Sequence, residues 1–136
     1  MKKSFISIFL LLSSTGVAYA DWTGDKEEGM VSEVVINKLH SGQFNNSAYF
    51  CVEGVKSDGY TIRACQLSND SYWSTSFDLM YNQSMYFYST GQLVRIYYKP
   101  NVWNNPDFMK SLTSNVLIGY STCVPGSCFG PDRKKP

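Results

Sequence analysis

Hydrophobic positions recur along the chain at two different periods. Between Met30 and Leu39 the β-branched residues Val31, Val34, Val35 and Ile36 predict a strand. Gly42 and the cluster Asn45-Asn46-Ser47 mark the turn after it, since glycine and asparagine tolerate backbone angles that other residues avoid. Tyr49-Phe50-Cys51-Val52 predicts a second strand, Ser57-Asp58-Gly59 a hairpin turn, and Tyr60 to Leu67 a third strand that brings Cys65 back beside Cys51. The period then lengthens. From Ser74 the chain runs without glycine or proline to Gly91, and Phe77, Met80, Tyr81, Ser84, Phe87 and Tyr88 recur at helical spacing. Ser74 is placed to cap the start of this helix and Gly91 to end it. Leu93 to Tyr98 alternates as a strand as far as Pro100, Pro106 to Leu112 has room for a short helical turn, and Val116 to Tyr120 forms a final strand. The order β-β-β-α-β-β predicts an all-β fold with one helix and suits a five-stranded Greek-key barrel of the OB type.

The first twenty residues follow a different rule. Lys2 and Lys3 precede the apolar run Phe5 to Leu12, and Ala18-Tyr19-Ala20 supplies the small-x-small pattern of a signal-peptidase site. Residues 1–20 therefore read as a signal peptide cleaved after Ala20, and residues 21–136 as one exported domain that passes through the periplasm. The apolar run is too short for a membrane span, and no later stretch approaches the roughly 20 apolar residues that a spanning helix needs.

Composition then narrows the class. At 43% hydrophobic and 17% charged residues the chain is too apolar to read as disordered. Its 12 Lys and Arg against 11 Asp and Glu give a formal charge of +1, which loss of Lys2 and Lys3 with the signal peptide turns to −1. No clustered cationic field is available for nucleic-acid phosphates, and Arg133-Lys134-Lys135 reads as a solvated tail. Export also changes the reading of the four cysteines, because an even number in an oxidising compartment suggests two disulfides. Of the three possible pairings, Cys51 with Cys65 and Cys123 with Cys128 are favoured, since the intervening segments read as a strand hairpin and a tight Pro125-Gly126 turn. Closing a loop of about 15 residues is worth on the order of 3 kcal/mol in the chain-entropy picture. Neither cysteine spacing makes a usual zinc pair and His40 is the single histidine, so neither a metal nor any other cofactor is expected.

Catalytic chemistry finds little support. His40 has no nucleophile elbow to serve, which favours a structural role. Glu27, Glu28, Glu33 and Glu53 offer carboxylates for a glycosidase pair, but any chain has carboxylates. The glycines are scattered singly at turns, so no phosphate cradle is formed, and the sequons at Asn45, Asn69 and Asn82 matter only in a glycosylating host. What remains is a small secreted domain with 10 tyrosines. Tyrosine offers an apolar face and a hydroxyl, which suits sugar rings, but aromatics also dominate small cores, so composition leaves binding face and core open.

Several separated stretches go further: Asp21-Trp22-Thr23-Gly24-Asp25, Tyr49-Phe50-Cys51, Tyr86-Phe87-Tyr88-Ser89-Thr90-Gly91-Gln92 with Val94-Arg95-Ile96, and Cys128-Phe129-Gly130-Pro131. In this order and spacing the chain resembles the B subunits of the subtilase cytotoxin and typhoid toxin family, pertussis-like toxins that join one A subunit to five B subunits. The resemblance implies an OB-fold protomer, a homopentameric ring, recognition of sialic-acid-terminated host glycans, and a B subunit that delivers a catalytic A subunit without being an enzyme itself. It implies a glycan site in which the Ser32 hydroxyl donates to the sugar carboxylate, with Lys56 adding charge and Thr61, or Tyr60 if the hairpin register differs by one, adding a hydroxyl. Glu28 would face the glycerol side, Met30 and Val31 would form the rim, and Tyr98 would meet the extra hydroxyl of N-glycolylneuraminic acid. The five helices would line a central pore for the A-subunit tail, with Asp78, Asn82 and Ser89 turned toward it and Phe77, Tyr81 and Tyr88 packed on the barrel. A different class, a periplasmic OB-fold protein that binds a peptide or oligonucleotide, is the alternative reading.

Overall fold

The computed structural model describes residues 29–69 and 72–132. The strands are β1 (Gly29–Phe44), β2 (Ser47–Lys56), β3 (Thr61–Leu67), β4 (Val94–Lys99), β5 (Val116–Val124) and the two-residue β6 (Ser127–Cys128); the helices are α1 (Phe77–Thr90) and α2 (Pro106–Ser111). They form one sheet in the order β3-β2-β1-β4-β5-β6. A parallel pairing of β3 with β5, at Cys65 and Val116, closes strands β1 to β5 into a barrel. This is the all-β, one-helix, OB-type architecture that the pattern predicts, with β6 added at its edge.

β1 is longer than its hydrophobic run. It continues through Gly42, which pairs with Tyr49, and turns only at Asn45 and Asn46, whose φ angles of 47° and 63° form the tight connection to β2. Asparagine tolerates this left-handed region better than most residues, so the turn falls there and not at Gly42. β1 also serves two neighbours in succession: Gly29, Met30 and Val31 pair with Tyr98, Tyr97 and Ile96 of β4, and the later residues pair with β2. Between Val31 and Val34 the register shifts, and Glu33 takes φ 58°, so Ser32 and Glu33 form a bulge where β1 changes partner.

Inside the barrel, Val31, Val34, Ile36, Phe50, Val52, Ile62, Ala64, Val94, Ile96 and Leu117 form one core. α1 closes one end through Met80 and Phe87, with Phe77 and Tyr81 partly buried against Phe50. Buried Ser84 on the same stripe meets the Tyr120 hydroxyl at 2.7 Å. Burial pushes that phenol far above its ordinary pKa, so it stays protonated. Two expectations for α1 need correction. A 3₁₀ turn at Ser74–Ser76 precedes the helix, so Ser74 does not cap it. Tyr88 is 48% exposed and does not pack on the barrel, because it lies one position beyond the stripe that ends at Phe87. Gly91 ends the helix in the left-handed conformation, as expected.

A second cluster explains why β2 is buried on both faces. Cys51 points away from the barrel but packs with Cys65, Trp103, Phe108 and Val116 beneath the α2 segment. Asn105 caps α2 by accepting from the Asp107 and Phe108 amides. Both favoured disulfides, Cys51–Cys65 and Cys123–Cys128, are formed. They fit an oxidising compartment. Among the described residues no helix is long and apolar enough to cross a membrane.

Glu53, also on the outer face of β2, is buried between Lys38 (2.9 Å) and Arg63 (2.7 Å). Hydrogen bonding from Lys38 and then Arg63 holds its carboxyl below the usual range. A depressed folded-state pKa stabilises the fold above the unfolded value, and that contribution is lost as pH falls through the folded value. We expect Glu53→Gln to cost about 1–2 kcal/mol at pH 7. Below the ordinary carboxylate pKa of ~4.3 the gap to the unmodified protein should narrow. Thermal unfolding at pH 7 and pH 3 checks this, and a gap unchanged with pH refutes it.

Candidate glycan-binding site

The bulge in β1 faces the hairpin that joins β2 to β3. Between them lies an open cleft of about 440 Å³, walled by Met30, Val31 and Ser32 of β1, by Lys56, Asp58 and Tyr60 around the hairpin turn, and by Tyr98 of β4. Local chemistry builds each wall. Asp58 Oδ1 accepts from the Tyr60 amide at 2.9 Å and the Gly59 amide donates to the Lys56 carbonyl, so the turn holds Lys56, Asp58 and Tyr60 together. Tyr98 lies over Gly29, its partner across the ladder: a Cβ on Gly29 would fall 2.3 Å from the Tyr98 ring. Only glycine leaves the ring this seat.

The hydroxyl of Ser32 accepts from Nε of Arg95 at 2.7 Å. Nε has no lone pair to give back, so the serine proton is directed elsewhere, and the side chain borders the cleft. Lys56 and Asp58 bring one charge of each sign to the cleft, and the Arg95 guanidinium behind Ser32 is paired with Asp132 at 2.7 Å, so the Ser32 proton and the Lys56 ammonium are the donors offered to a carboxylate. The faces of Tyr60 and Tyr98 and the flexible Met30 add apolar surface for the C–H face of a sugar.

Four residues singled out from the sequence, Met30, Ser32, Lys56 and Tyr98, thus meet in one cleft. Thr61 is exposed at the start of β3, opposite Val55, and it is its neighbour Tyr60 that borders the cleft. Glu28 lies outside the described residues. Sequence reasoning missed Asp58, whose signal was its turn position two residues after Lys56, and Arg95, which reads simply as the polar member of an alternating strand. Elsewhere, a recess of about 400 Å³ beside His40 and Tyr88 has Lys38, Glu53 and Arg63 committed to one another. His40 itself contacts the Tyr49 hydroxyl at 2.8 Å. Among the described residues no three His, Cys, Asp or Glu side chains converge on a metal position.

A closed Greek-key barrel with one capping helix and a cleft with donors for a carboxylate at its rim defines a small OB-fold binding module. Comparison with known proteins narrows this class. No family model matches the chain. The B subunit of subtilase cytotoxin from Escherichia coli is 57% identical over 123 residues, covering 90% of this chain and 87% of that protein. A chain of the E. coli AB5 toxin, solved with Neu5Gc-2,3Gal-1,3GlcNAc, superimposes with a TM-score of 0.79 at 56% identity, covering 85% of this chain and all of that one. A point mutant of the Salmonella typhi PltB homopentamer, solved with Neu5Ac-alpha-2-3-Gal-beta-1-4-GlcNAc glycans, gives a TM-score of 0.77 at 43% identity, covering 82% of this chain and 99% of that one. The chain belongs to the family of AB5 toxin B subunits that includes the one from subtilase cytotoxin.

The seat of Tyr98 yields a direct test. Gly29→Ala should cost about 1–3 kcal/mol by forcing the ring aside, and little once Tyr98→Ala has emptied the space. Chemical denaturation of the two single variants and the double variant measures the coupling, and additive losses refute the contact.

Proposed function

We propose that this protein is the receptor-binding, non-catalytic B subunit of a secreted bacterial toxin. It assembles as a homopentamer, binds sialic-acid-terminated glycans on host cells through the β1–hairpin cleft, and carries a catalytic A subunit at the central pore. The signal peptide ending at Ala20 directs it through the periplasm. The observation that carries this reading is the meeting of Ser32, Lys56 and Tyr98 in one cleft, in a chain 57% identical to a toxin B subunit. Solved relatives holding Neu5Gc- and Neu5Ac-terminated glycans support the ligand class.

In this reading the Ser32 hydroxyl donates to the sialic acid carboxylate, Lys56 supplies the opposite charge, and Asp58 accepts from ring or glycerol hydroxyls. Glu28 and Thr61 contribute at the edges, and Tyr98 donates to the N-glycolyl hydroxyl. One such site holds its sugar at roughly millimolar Kd, about −4 kcal/mol. Five sites on one ring, engaging clustered glycans, multiply the apparent affinity by roughly 10² to 10⁴ without new contacts. The near-neutral charge is then no handicap, since the binding rests on short-range hydrogen bonds and not on long-range attraction.

A glycan array tests this. The protein should select sialylated glycans, and Ser32→Ala should reduce that signal at least tenfold, as loss of a charge-assisted hydrogen bond requires. A monomer whose cell binding survives sialidase treatment would instead fit an OB-fold peptide or oligonucleotide binder. Tyr98→Phe should weaken N-glycolyl binding more than N-acetyl binding, by about three- to tenfold for one lost hydrogen bond. Equal losses for the two sugars would remove Tyr98 from the discrimination.

A further inference from the structure

Resting on the glycan-binding reading of the cleft, we infer that the C-terminal tail, Phe129 to Asp132, belongs to the binding machinery: through Arg95 it positions the Ser32 hydroxyl. Arg95 stands on the outer face of β4 yet is only 6% exposed. A buried guanidinium requires partners for its donors, and the tail supplies most of them. Nη1 donates to the Pro131 carbonyl at 3.1 Å and lies 3.4 Å from the Tyr97 hydroxyl, and Nη2 pairs with Asp132 at 2.7 Å. Nε, on the opposite side of the group, donates to Ser32.

The tail has a defined path onto Arg95. The Cys123–Cys128 disulfide closes the β5–β6 hairpin, and the Phe129 amide then donates to the Thr122 carbonyl at 2.9 Å. Gly130 follows with φ 119°, where a Cβ would fall 2.4 Å from Ser121 Oγ and 2.9 Å from the Tyr97 hydroxyl. Only glycine lets the chain descend here. Tyr97 donates to the Pro131 carbonyl at 2.8 Å, so two side chains of β4 grip the same carbonyl. The same hairpin reaches the bulge a second way: the Gly126 amide donates to Glu33 Oε1 at 2.7 Å. Two tethers from the end of the chain therefore converge on consecutive residues, Ser32 and Glu33.

A serine side chain otherwise samples three staggered wells. Donation from Nε selects the one in which the oxygen faces Arg95, which leaves the proton for an acceptor in the cleft. The tail acts as a strut: it orients Arg95, Arg95 orients Ser32, and the ligand carboxylate meets a donor already in place. Arg95 and Asp132 are thus positioning residues.

NMR titration with a free sialoside, Neu5Gc-2,3Gal-1,3GlcNAc, tests the strut in the assembled protein. Asp132→Asn and Gly130→Ala should each weaken binding about three- to tenfold when Ser32 is present, and by less than twofold in a Ser32→Ala background. Asp132→Glu should restore the affinity. Asp132 is 77% exposed, so its variant keeps the test available if Gly130→Ala fails to fold. Equal losses in both backgrounds, or none in either, would overturn the inference alone, since the unmodified chain would still bind. No binding by the unmodified chain would overturn the glycan reading and the inference with it.

Discussion

One strand must hydrogen-bond to two partners in succession, and the rest of this molecule follows from how it does so. β1 pairs first with β4 and then with β2, and Val34, opposite both Val94 and Lys56, stands at the exchange. A regular strand presents one pleat to both neighbours, whereas a barrel of this size requires the strand to bend. The bend is taken up at Ser32 and Glu33, with Glu33 held at φ 58° at a modest conformational cost. That irregularity lifts Ser32 out of the alternation that buries Val31 and Val34 and sets it at the rim. The site is thus a by-product of closing the barrel, placed where the backbone can no longer remain regular.

Electrostatic arrangement reinforces this economy. Among the described residues, short N···O distances tie several charged groups into small sets: Glu53 with Lys38 and Arg63, and Arg95 with Asp132. Each set fixes a piece of backbone rather than building a long-range field, consistent with a chain of formal charge +1. Glu53, held ionised between two cations, is poorly suited to general-acid work. Among the described residues, the two carboxylates that offered a catalytic pair are structural ties: Glu53 with its two cations, and Glu33 with the Gly126 amide.

Much of the fold was legible because its signals are local. β-branched runs, the helical stripe from Phe77 to Phe87, and Gly91 at the helix end each depend on a few neighbouring residues. Errors fell where a distant partner decides: Gly42 stays in the strand because Tyr49 pairs with it, and Tyr88 is left outside because the stripe drifts past the barrel. The candidate site divides in the same way. Ser32, Lys56 and Tyr98 were named through a family resemblance, and nothing in their spacing announces that they meet. Arg95 and Asp132 are 37 positions apart and their pairing needs the tail's descent at Gly130, which no pattern of hydrophobicity reports. Glycine at that position is visible in the sequence, but its need is visible only beside Ser121 and Tyr97.

The disulfide between β2 and β3 has a role beyond cross-linking. Cys51 and Cys65 are direct ladder partners, flanked by Phe50 opposite Gln66 and Val52 opposite Ala64. Sliding one strand by a single residue would bring Ala64 or Gln66 opposite Cys51 and turn its whole side-chain set to the other face of the sheet. The two sulfurs can then no longer bond. In an oxidising environment this covalent lock therefore fits one frame of the hairpin, and closing it fixes the register along with the cross-link.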